Sequence, residues 1–259
     1  MSIINRNLEG KVAIVTGAGG AIGSATAERL VRAGGQVAVA DIFGDTAAAT
    51  VARIEEQGLG GAKAFTLDIS DEDQIIAFVK EVAAHFGGID ILHNNAHFNQ
   101  QFSQGQDKTL LDMTRELWDK SFAVNVRGAM LLSRETIPHM LKRGGGAIVN
   151  TSSGASEVPV VDAFIAYGPS KGALESLTRY TAAQYGRQNI RCNAILPGAV
   201  LTPGMKQVFT QPQLDAMVSR TMLQRITLPE DIAAGVHFLA SDDARQITGQ
   251  LLRIDAGRI

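Results

Sequence analysis

The sequence predicts an α/β fold, doubly wound, with a parallel sheet covered by helices on both faces. Three observations carry this expectation. Short apolar runs alternate with longer stretches of helical periodicity from residue 12 to residue 254. The runs are apolar throughout, as in strands buried on both faces. Gly34-Gly35, Gly87-Gly88 and Gly144-Gly145-Gly146 punctuate the alternation as turns.

The expected strands are 12–16, 36–40, 62–67, 89–92, 147–150, 190–195 and 251–254, and each crossover should be right-handed. The first strand runs into a glycine-rich turn and a helix over 22–33. A helix over 45–57 follows the second strand. A third helix spans 71–86, where Ile75, Phe78, Val79, Val82 and Phe86 form one apolar stripe. The pattern 113–141 is long, and Asn125 to Gly128 mark a break, since asparagine and glycine both weaken a helix interior. Helices are also expected over 167–185 and 230–239, with Pro229 and Glu230 suited to a helix start. Residues 197–227 have weak periodicity and three prolines, Pro197, Pro203 and Pro212. They read as a loop with short helices over a site. No linker, repeat or low-complexity tract divides the chain, so one domain spans 1–259.

Composition narrows the function. The chain has 259 residues, 45% hydrophobic and 19% charged, with a formal net charge of -2. That balance fits one sizeable core and gives no nucleic-acid footprint. No apolar run approaches a membrane span, and residues 1–10 lack an apolar signal core. Cys192 is the only cysteine, which excludes an internal disulfide and fits a reducing, cytoplasmic setting. Its place in an apolar run predicts a buried strand thiol. His85, His93, His97, His139 and His237 show no metal-ligand spacing.

Two motifs carry chemistry. Tyr167 and Lys171 lie four apart at a helix start, so phenol and ammonium share one face. A nearby cation favours phenolate and eases removal of an alcohol proton. Alone, the pair also fits an exposed surface. Its weight comes from Thr16-Gly17-Ala18-Gly19-Gly20-Ala21-Ile22-Gly23, between a strand and a helix. Glycines there allow close backbone approach, and the helix start offers N–H groups to a pyrophosphate. Asp41, ending the second strand, can accept the ribose hydroxyls of a dinucleotide and would repel a 2′-phosphate. Ile42, Phe43 and Ala18 supply no compensating cation, so NAD is expected over NADP. Asp68 and Ile69 can meet an adenine ring, or Asp68 or Ser70 can cap the next helix.

These motifs, with Asn94-Asn95-Ala96, Asn125-Val126-Arg127-Gly128, Ser152-Ser153, Asn193, Pro197-Gly198 and Thr202, occur in an order and spacing that resembles the classical short-chain dehydrogenase/reductase family over nearly the whole chain. The resemblance implies a seven-stranded parallel Rossmann-type sheet and a nicotinamide cofactor. It implies a catalytic tetrad of Asn125, Ser153, Tyr167 and Lys171. Tyr167 would exchange the proton of the alcohol, Lys171 and the nicotinamide ring would lower its pKa, Ser153 would hold the substrate oxygen, and Asn125 would hold a water that links Lys171 to bulk. Lys171 would also hold the nicotinamide ribose. Pro197, Gly198, Val200 and Thr202 would line the nicotinamide side, and Asn95 and Ala96 the floor. A homotetramer or homodimer is implied, pairing through the helices of Asn125 and Tyr167, with the tail through Ile259 joining the contact.

Three positions depart from the family pattern. Ala21 replaces the usual middle glycine, a tolerable methyl. His97 replaces the glycine after Asn-Asn-Ala, where it can reshape the pocket, touch substrate or face solvent. Ser153 lies fourteen residues before Tyr167, one more than usual, and an inserted residue within 158–164 accounts for it. Ser152 and Ser156 are the reserve candidates. Expected pocket residues are His97, Phe98, Gly154, Ala155, Val160, Phe164, Val200 and the stretch 205–217, with Phe209, Leu214, Met217 and Val218 forming an apolar lid. The expected activity is NAD(H)-dependent interconversion of a secondary alcohol and a ketone. Reduction of a 3-oxoacyl thioester, and a catalytically silent nucleotide-binding scaffold, are the alternatives.

Overall fold

The computed structural model describes residues 7–98, 106–161 and 163–257. The polar start 1–6 and the end of the tail through Ile259 lie outside the described residues. In chain order the elements are β1 (Val12–Thr16), α1 (Ala21–Arg32), β2 (Gln36–Asp41), α2 (Gly44–Glu55), β3 (Ala62–Thr66), α3 (Glu72–Phe86) and β4 (Ile91–Asn94). They continue with α4 (Arg115–Phe122), α5 (Ala129–Lys142), β5 (Gly146–Thr151), α6 (Tyr167–Tyr185) and β6 (Ile190–Pro197). Last come α7 (Pro203–Val208), α8 (Gln211–Val218), α9 (Pro229–Ala240) and β7 (Leu251–Ile254).

The seven strands form one parallel sheet in the order β3-β2-β1-β4-β5-β6-β7. Strand residues alternate between the two faces, and each face has its own core. Val12, Ile14, Ala38, Leu92 and Ile148 pack on one side with Ile75, Val79 and Leu132 from α3 and α5. Ala13, Val15, Val37, Val39 and Ile91 pack on the other with Ala27, Leu30, Ile54 and Ala240 from α1, α2 and α9. Both faces being covered explains why the strands read as unbroken apolar runs. The order reverses between β1 and β4, and this switch opens a crevice at the carboxyl ends of the strands.

Several boundaries differ from expectation for physical reasons. β4 starts two residues later than 89–92, because the Asp90 side chain takes the Val12 N–H at 2.9 Å and pairs with Arg143 at 3.1 Å. Neither Asp68 nor Ser70 caps α3; Asp71 does, accepting from the Gln74 N–H at 3.1 Å. The long pattern 113–141 is three pieces: α4, a π-helical turn over Ala123–Gly128, and α5. The break falls where Asn125 and Gly128 place it. A Cβ on Gly128 would lie 2.5 Å from the Ile69 carbonyl, so glycine here permits close packing on the end of the neighbouring strand–helix turn.

Candidate active site

The floor of the crevice is built from the ends of β1 and β4. Gly17 adopts a φ of 62°, and a Cβ there would stand 2.8 Å from the Ala96 Cα, so only glycine lets these ends touch. Asn95 ties them together. Its amide donates to the Thr16 carbonyl at 3.0 Å and the Gly17 carbonyl at 3.2 Å. The Thr16 hydroxyl oxygen in turn accepts the N–H groups of Asn95 and Ala96, each at 3.1 Å. The buried side-chain amide oxygen of Asn95, Oδ1, has no partner among the described residues. Gly20 caps α1 without any side-chain hydrogen bond, so the first-turn N–H groups of Ala21 and Ile22 stay available at the crevice. Gly23 packs against the Gly17 carbonyl, which a Cβ would approach to 2.3 Å. Ile22 packs below, on Val149, Ile195 and Ile232.

Asp41 reaches the same crevice from the end of β2. Its carboxylate accepts the Gly19 N–H at 2.9 Å and the Phe43 N–H at 3.0 Å. A carboxylate offers about four acceptor sites, so these bonds orient it without exhausting it. Ile42 and Phe43 are exposed beside it. Asp68 makes a turn with its own neighbours, accepting the Ser70 N–H at 2.8 Å. Ile69 is buried in the core.

On the opposite side, α6 carries Tyr167 and Lys171 into the site. The Lys171 side chain is 1% exposed; its Nζ donates to the Thr151 carbonyl at 2.8 Å and stands 5.5 Å from the Tyr167 ring centre. Burial lowers the lysine to about 7. Burial also pushes the Tyr167 phenol up to about 12, against a hydrogen bond from Ser153 that pulls it down. The lowered phenol expected from the sequence is therefore not produced by the protein's own groups. Ser153 Oγ accepts the Ala155 N–H at 3.1 Å, which leaves its proton free to be donated. Ser152 and Ser156 turn away, both to Glu175. Before the helix, Phe164 takes an unusual φ of 67° and sets its ring 5.6 Å from that of Tyr167.

Asn125 sits in the π-turn and is 1% exposed. Its side chain grips Phe98, accepting the N–H at 2.6 Å and donating to the carbonyl at 3.1 Å, and donates to Ser170 Oγ at 2.9 Å. The amide is thus engaged with protein on both its oxygen and its nitrogen. His97 is half-buried, with Nδ1 donating to the Asn95 carbonyl at 3.0 Å and its ring 6.1 Å from that of Tyr167. Burial first, then the lysine charge, lowers it to about 4. His93 is a buried strand residue bonded to Thr151 Oγ1 at 2.8 Å. Cys192 is buried, and burial pushes its thiol up to about 12.

Thr202 caps α7, accepting the Met205 N–H at 3.1 Å, and Val200 bridges to Thr227. Gly198, after Pro197 at the end of β6, owes its identity to Asp255, whose Cβ an added methyl would meet at 2.7 Å. Sequence reasoning missed Asp107. It is 2% exposed, and its carboxylate accepts the N–H groups of Ala166 and Tyr167 at 2.8 and 3.0 Å. Sixty residues separate this cap from its helix, and no local pattern signals it. Among the described residues no cluster of metal-ligating side chains occurs.

The comparisons agree with this geometry. A family model described as enoyl-(acyl carrier protein) reductase matches residues 17–258. A probable short-chain type dehydrogenase/reductase of Bradyrhizobium diazoefficiens is 42% identical over 251 residues, covering 97% of this chain and 88% of that protein. A 7alpha-hydroxysteroid dehydrogenase of Clostridium sardiniense is 39% identical over 252 residues, covering 97% and 94%. A solved 7alpha-hydroxysteroid dehydrogenase, complexed with NADH and 7-oxo glycochenodeoxycholic acid, superposes with a TM-score of 0.90 at 35% identity, covering 100% of this chain and 98% of that one. The chain belongs to the classical short-chain dehydrogenase/reductase family.

Proposed function

We propose that this protein is an NAD(H)-dependent oxidoreductase that interconverts a secondary alcohol and a ketone. One observation carries the reading: the Tyr167 phenol is bonded by Ser153 while Lys171 lies 5.5 Å from its ring, beside the crevice at the strand ends. The crevice fits the cofactor. It has a glycine floor that a Cβ would fill, an uncapped helix start for a pyrophosphate, an unpartnered Asn95 oxygen and the Asp41 carboxylate for ribose hydroxyls. When bound, the nicotinamide accepts or supplies the hydride. Tyr167 takes the alcohol proton in oxidation and returns it in reduction. Ser153 donates to the substrate oxygen and fixes its position. Lys171 stabilises phenolate and can hold the ribose, and Asn125 can hold a water that links Lys171 to solvent. Pro197, Gly198, Val200 and Thr202 line the nicotinamide side; Asp68 and Ile69 border the adenine end.

We take the substrate to be a moderately apolar alcohol or ketone, because Phe164 stands 5.6 Å from the Tyr167 ring and the segment 197–227 expected to cover the site carries Val200, Phe209, Leu214 and Met217. The description of the matching family model favours the 3-oxoacyl or enoyl thioester reading as the second candidate. Asp41 opposes the phosphate-bearing cofactor usual for that chemistry. We infer a homodimer or homotetramer in a reducing cytoplasm, supported by exposed Met130, Leu141 and Tyr180 on α5 and α6 and by the lone buried thiol. Among the described residues no helix is long and apolar enough to cross a membrane.

A screen of alcohols and ketones with all four cofactor forms tests this reading. Turnover with NAD(H) over NADP(H) is expected, and strong NADPH preference overturns the role of Asp41. Tyr167→Phe should bind NADH normally while losing at least about a hundredfold in kcat, in the range for a lost general acid–base. Full activity of this variant overturns the proton step.

A further inference from the structure

Glu175 lies one turn beyond Lys171 and two beyond Tyr167 on α6, and it is 7% exposed. Phenol, ammonium and carboxylate therefore share one helix face. The first two face the reacting centre. The third faces the loop that follows β5. Glu175 Oε1 accepts the Ser152 hydroxyl at 2.6 Å and also the Ser156 hydroxyl. These serines bracket Ser153. The Ser152 hydroxyl also lies 3.2 Å from the Lys171 carbonyl, and that of Ser156 lies 2.6 Å from the Ser153 carbonyl. Each hydroxyl has one proton to give, and a carboxylate is the stronger acceptor. Between the two grips Ser153 opens a short 3-10 turn, Gly154–Ser156, with its Oγ taking the Ala155 N–H. On the far side of that turn, Arg253 of β7 pairs with Glu157 at 2.7 Å.

We propose that Glu175 is a positioning residue for Ser153: its carboxylate clamps Ser152 and Ser156 and so aims the Ser153 hydroxyl at Tyr167. The clamp answers a problem specific to this chain. The segment from Ser153 to Tyr167 is one residue longer than the family pattern, and slack in it would reach the serine. Fixing Ser152 and Ser156 to the same helix as Tyr167 leaves any slack to the chain after Ser156, where Phe164 adopts its left-handed backbone. The proposal rests on Ser153 being the serine that meets the substrate.

A double-mutant cycle in the full-length protein tests it. Glu175→Ala, Ser153→Ala and the pair are compared for kcat and KM on a ketone active in the screen, for NADH affinity by fluorescence titration, and for fold by circular dichroism. Glu175→Ala should lower kcat by about 10- to 100-fold, as expected for a reacting group misplaced by a fraction of an ångström to about one. NADH affinity should stay within about twofold, and Glu175→Gln, whose amide oxygen can still accept both hydroxyls, should recover most of the loss. In the Ser153→Ala background Glu175→Ala should cost nothing further. Ser156→Ala removes one grip without emptying a buried carboxylate site. It should lower kcat in the same non-additive way, and it carries the test if Glu175→Ala does not fold. The clamp is overturned if kcat is unchanged, if the losses add fully, or if NADH affinity falls in step with kcat. Full activity of Ser153→Ala overturns the serine's role and the clamp together, whereas additive losses on an impaired Ser153→Ala overturn the clamp alone.

Discussion

The floor and the rim of the crevice are built on opposite principles. The floor is polar yet buried: His93, Asn94, Asn95, Asn150, Thr151 and Lys171 all sit at the carboxyl ends of β4 and β5 or beneath them. Several of these side chains bond to one another or to the strand ends. The Asn94 amide donates to Asn150 at 2.9 Å, and that of Asn150 donates to Thr178 at 2.8 Å. The rim over 197–227 has two short helices, α7 and α8, without one buried residue. A buried polar network holds its geometry because every broken bond strands a desolvated partner. A surface helix with half-covered apolar residues can move or change at small cost. The contrast teaches that reaction type belongs to the floor and substrate choice to the rim.

Lys171→Met strikes the floor hardest. Its loss should reduce kcat at least about a hundredfold, comparable to a lost acid–base partner. Its effect on stability should depend on pH. Burial holds the folded lysine near 7, below its ordinary 10.5. Between these values the unfolded chain carries the extra proton, so the wild type gains stability with rising pH at up to about 1.4 kcal/mol per pH unit. Below the folded value both states are protonated and the penalty is complete. Methionine has no such term. Urea unfolding of both proteins at several pH values should therefore show the wild type gaining on the variant as pH rises from 7 towards 10. A difference that stays flat would mean that Lys171 keeps its proton in the fold.

Asn95→Ala attacks the floor without touching a titrating group. It leaves the carbonyls of Thr16 and Gly17 without the amide that now serves them. A loss of about 2–3 kcal/mol in denaturant unfolding is expected for stranding buried acceptors. Weaker NADH binding should accompany it, because the contact of β1 with β4 is what shapes the crevice. Unchanged stability with weakened binding would show instead that the amide serves the ligand and not the sheet.

The same contrast explains what the sequence reveals. Floor elements are legible because they follow local rules. Unbroken apolar runs mark β1 and β2, the strand–glycine–helix order marks the crevice, and Asn125 with Gly128 marks the π-turn. Tyr167 and Lys171 are legible from helical spacing, and Glu175 continues that spacing as an acid on a buried face. Asp107 is not legible, since its bonds to Ala166 and Tyr167 join segments far apart in the chain. The Tyr167 pKa is misjudged for a related reason. Spacing shows the neighbouring cation, but only the packed fold shows the desolvation that raises the phenol. Gly198 is packed against Asp255, a contact between distant segments that no local pattern signals.

His97 stands where floor meets rim. Lowered to about 4, it is neutral across the working range, with Nδ1 committed to the Asn95 carbonyl. His97→Gly restores the family's usual residue and removes a ring 6.1 Å from that of Tyr167. It should shift the ranking of ketones by size by up to about tenfold in kcat/KM, the scale of pocket-shape discrimination. The pH profile between 6 and 9 should not move. A profile that lost a limb would place His97 among the proton-transferring groups and move it from rim to floor.

The smallest effect should come from Met217→Ala on α8. Met217 is half-buried and the helix around it has no buried residue. Truncating it empties no core, so unfolding stability should stay within about 0.5 kcal/mol of wild type, as for substitutions away from packed sites. NADH affinity should be unchanged, since Met217 lies outside the residues proposed to hold the dinucleotide. If α8 frames the substrate, KM for an apolar ketone should rise by a few-fold, on the order of 1 kcal/mol for the contact removed, while kcat holds. Titrating a short against a long ketone separates the outcomes: only the substrate long enough to reach α8 should feel the change. A fall in kcat for both, with a stability loss above about 1.5 kcal/mol, would mean that α8 is packed into the catalytic framework. The boundary between a fixed floor and a variable rim would then have to be redrawn closer to the surface.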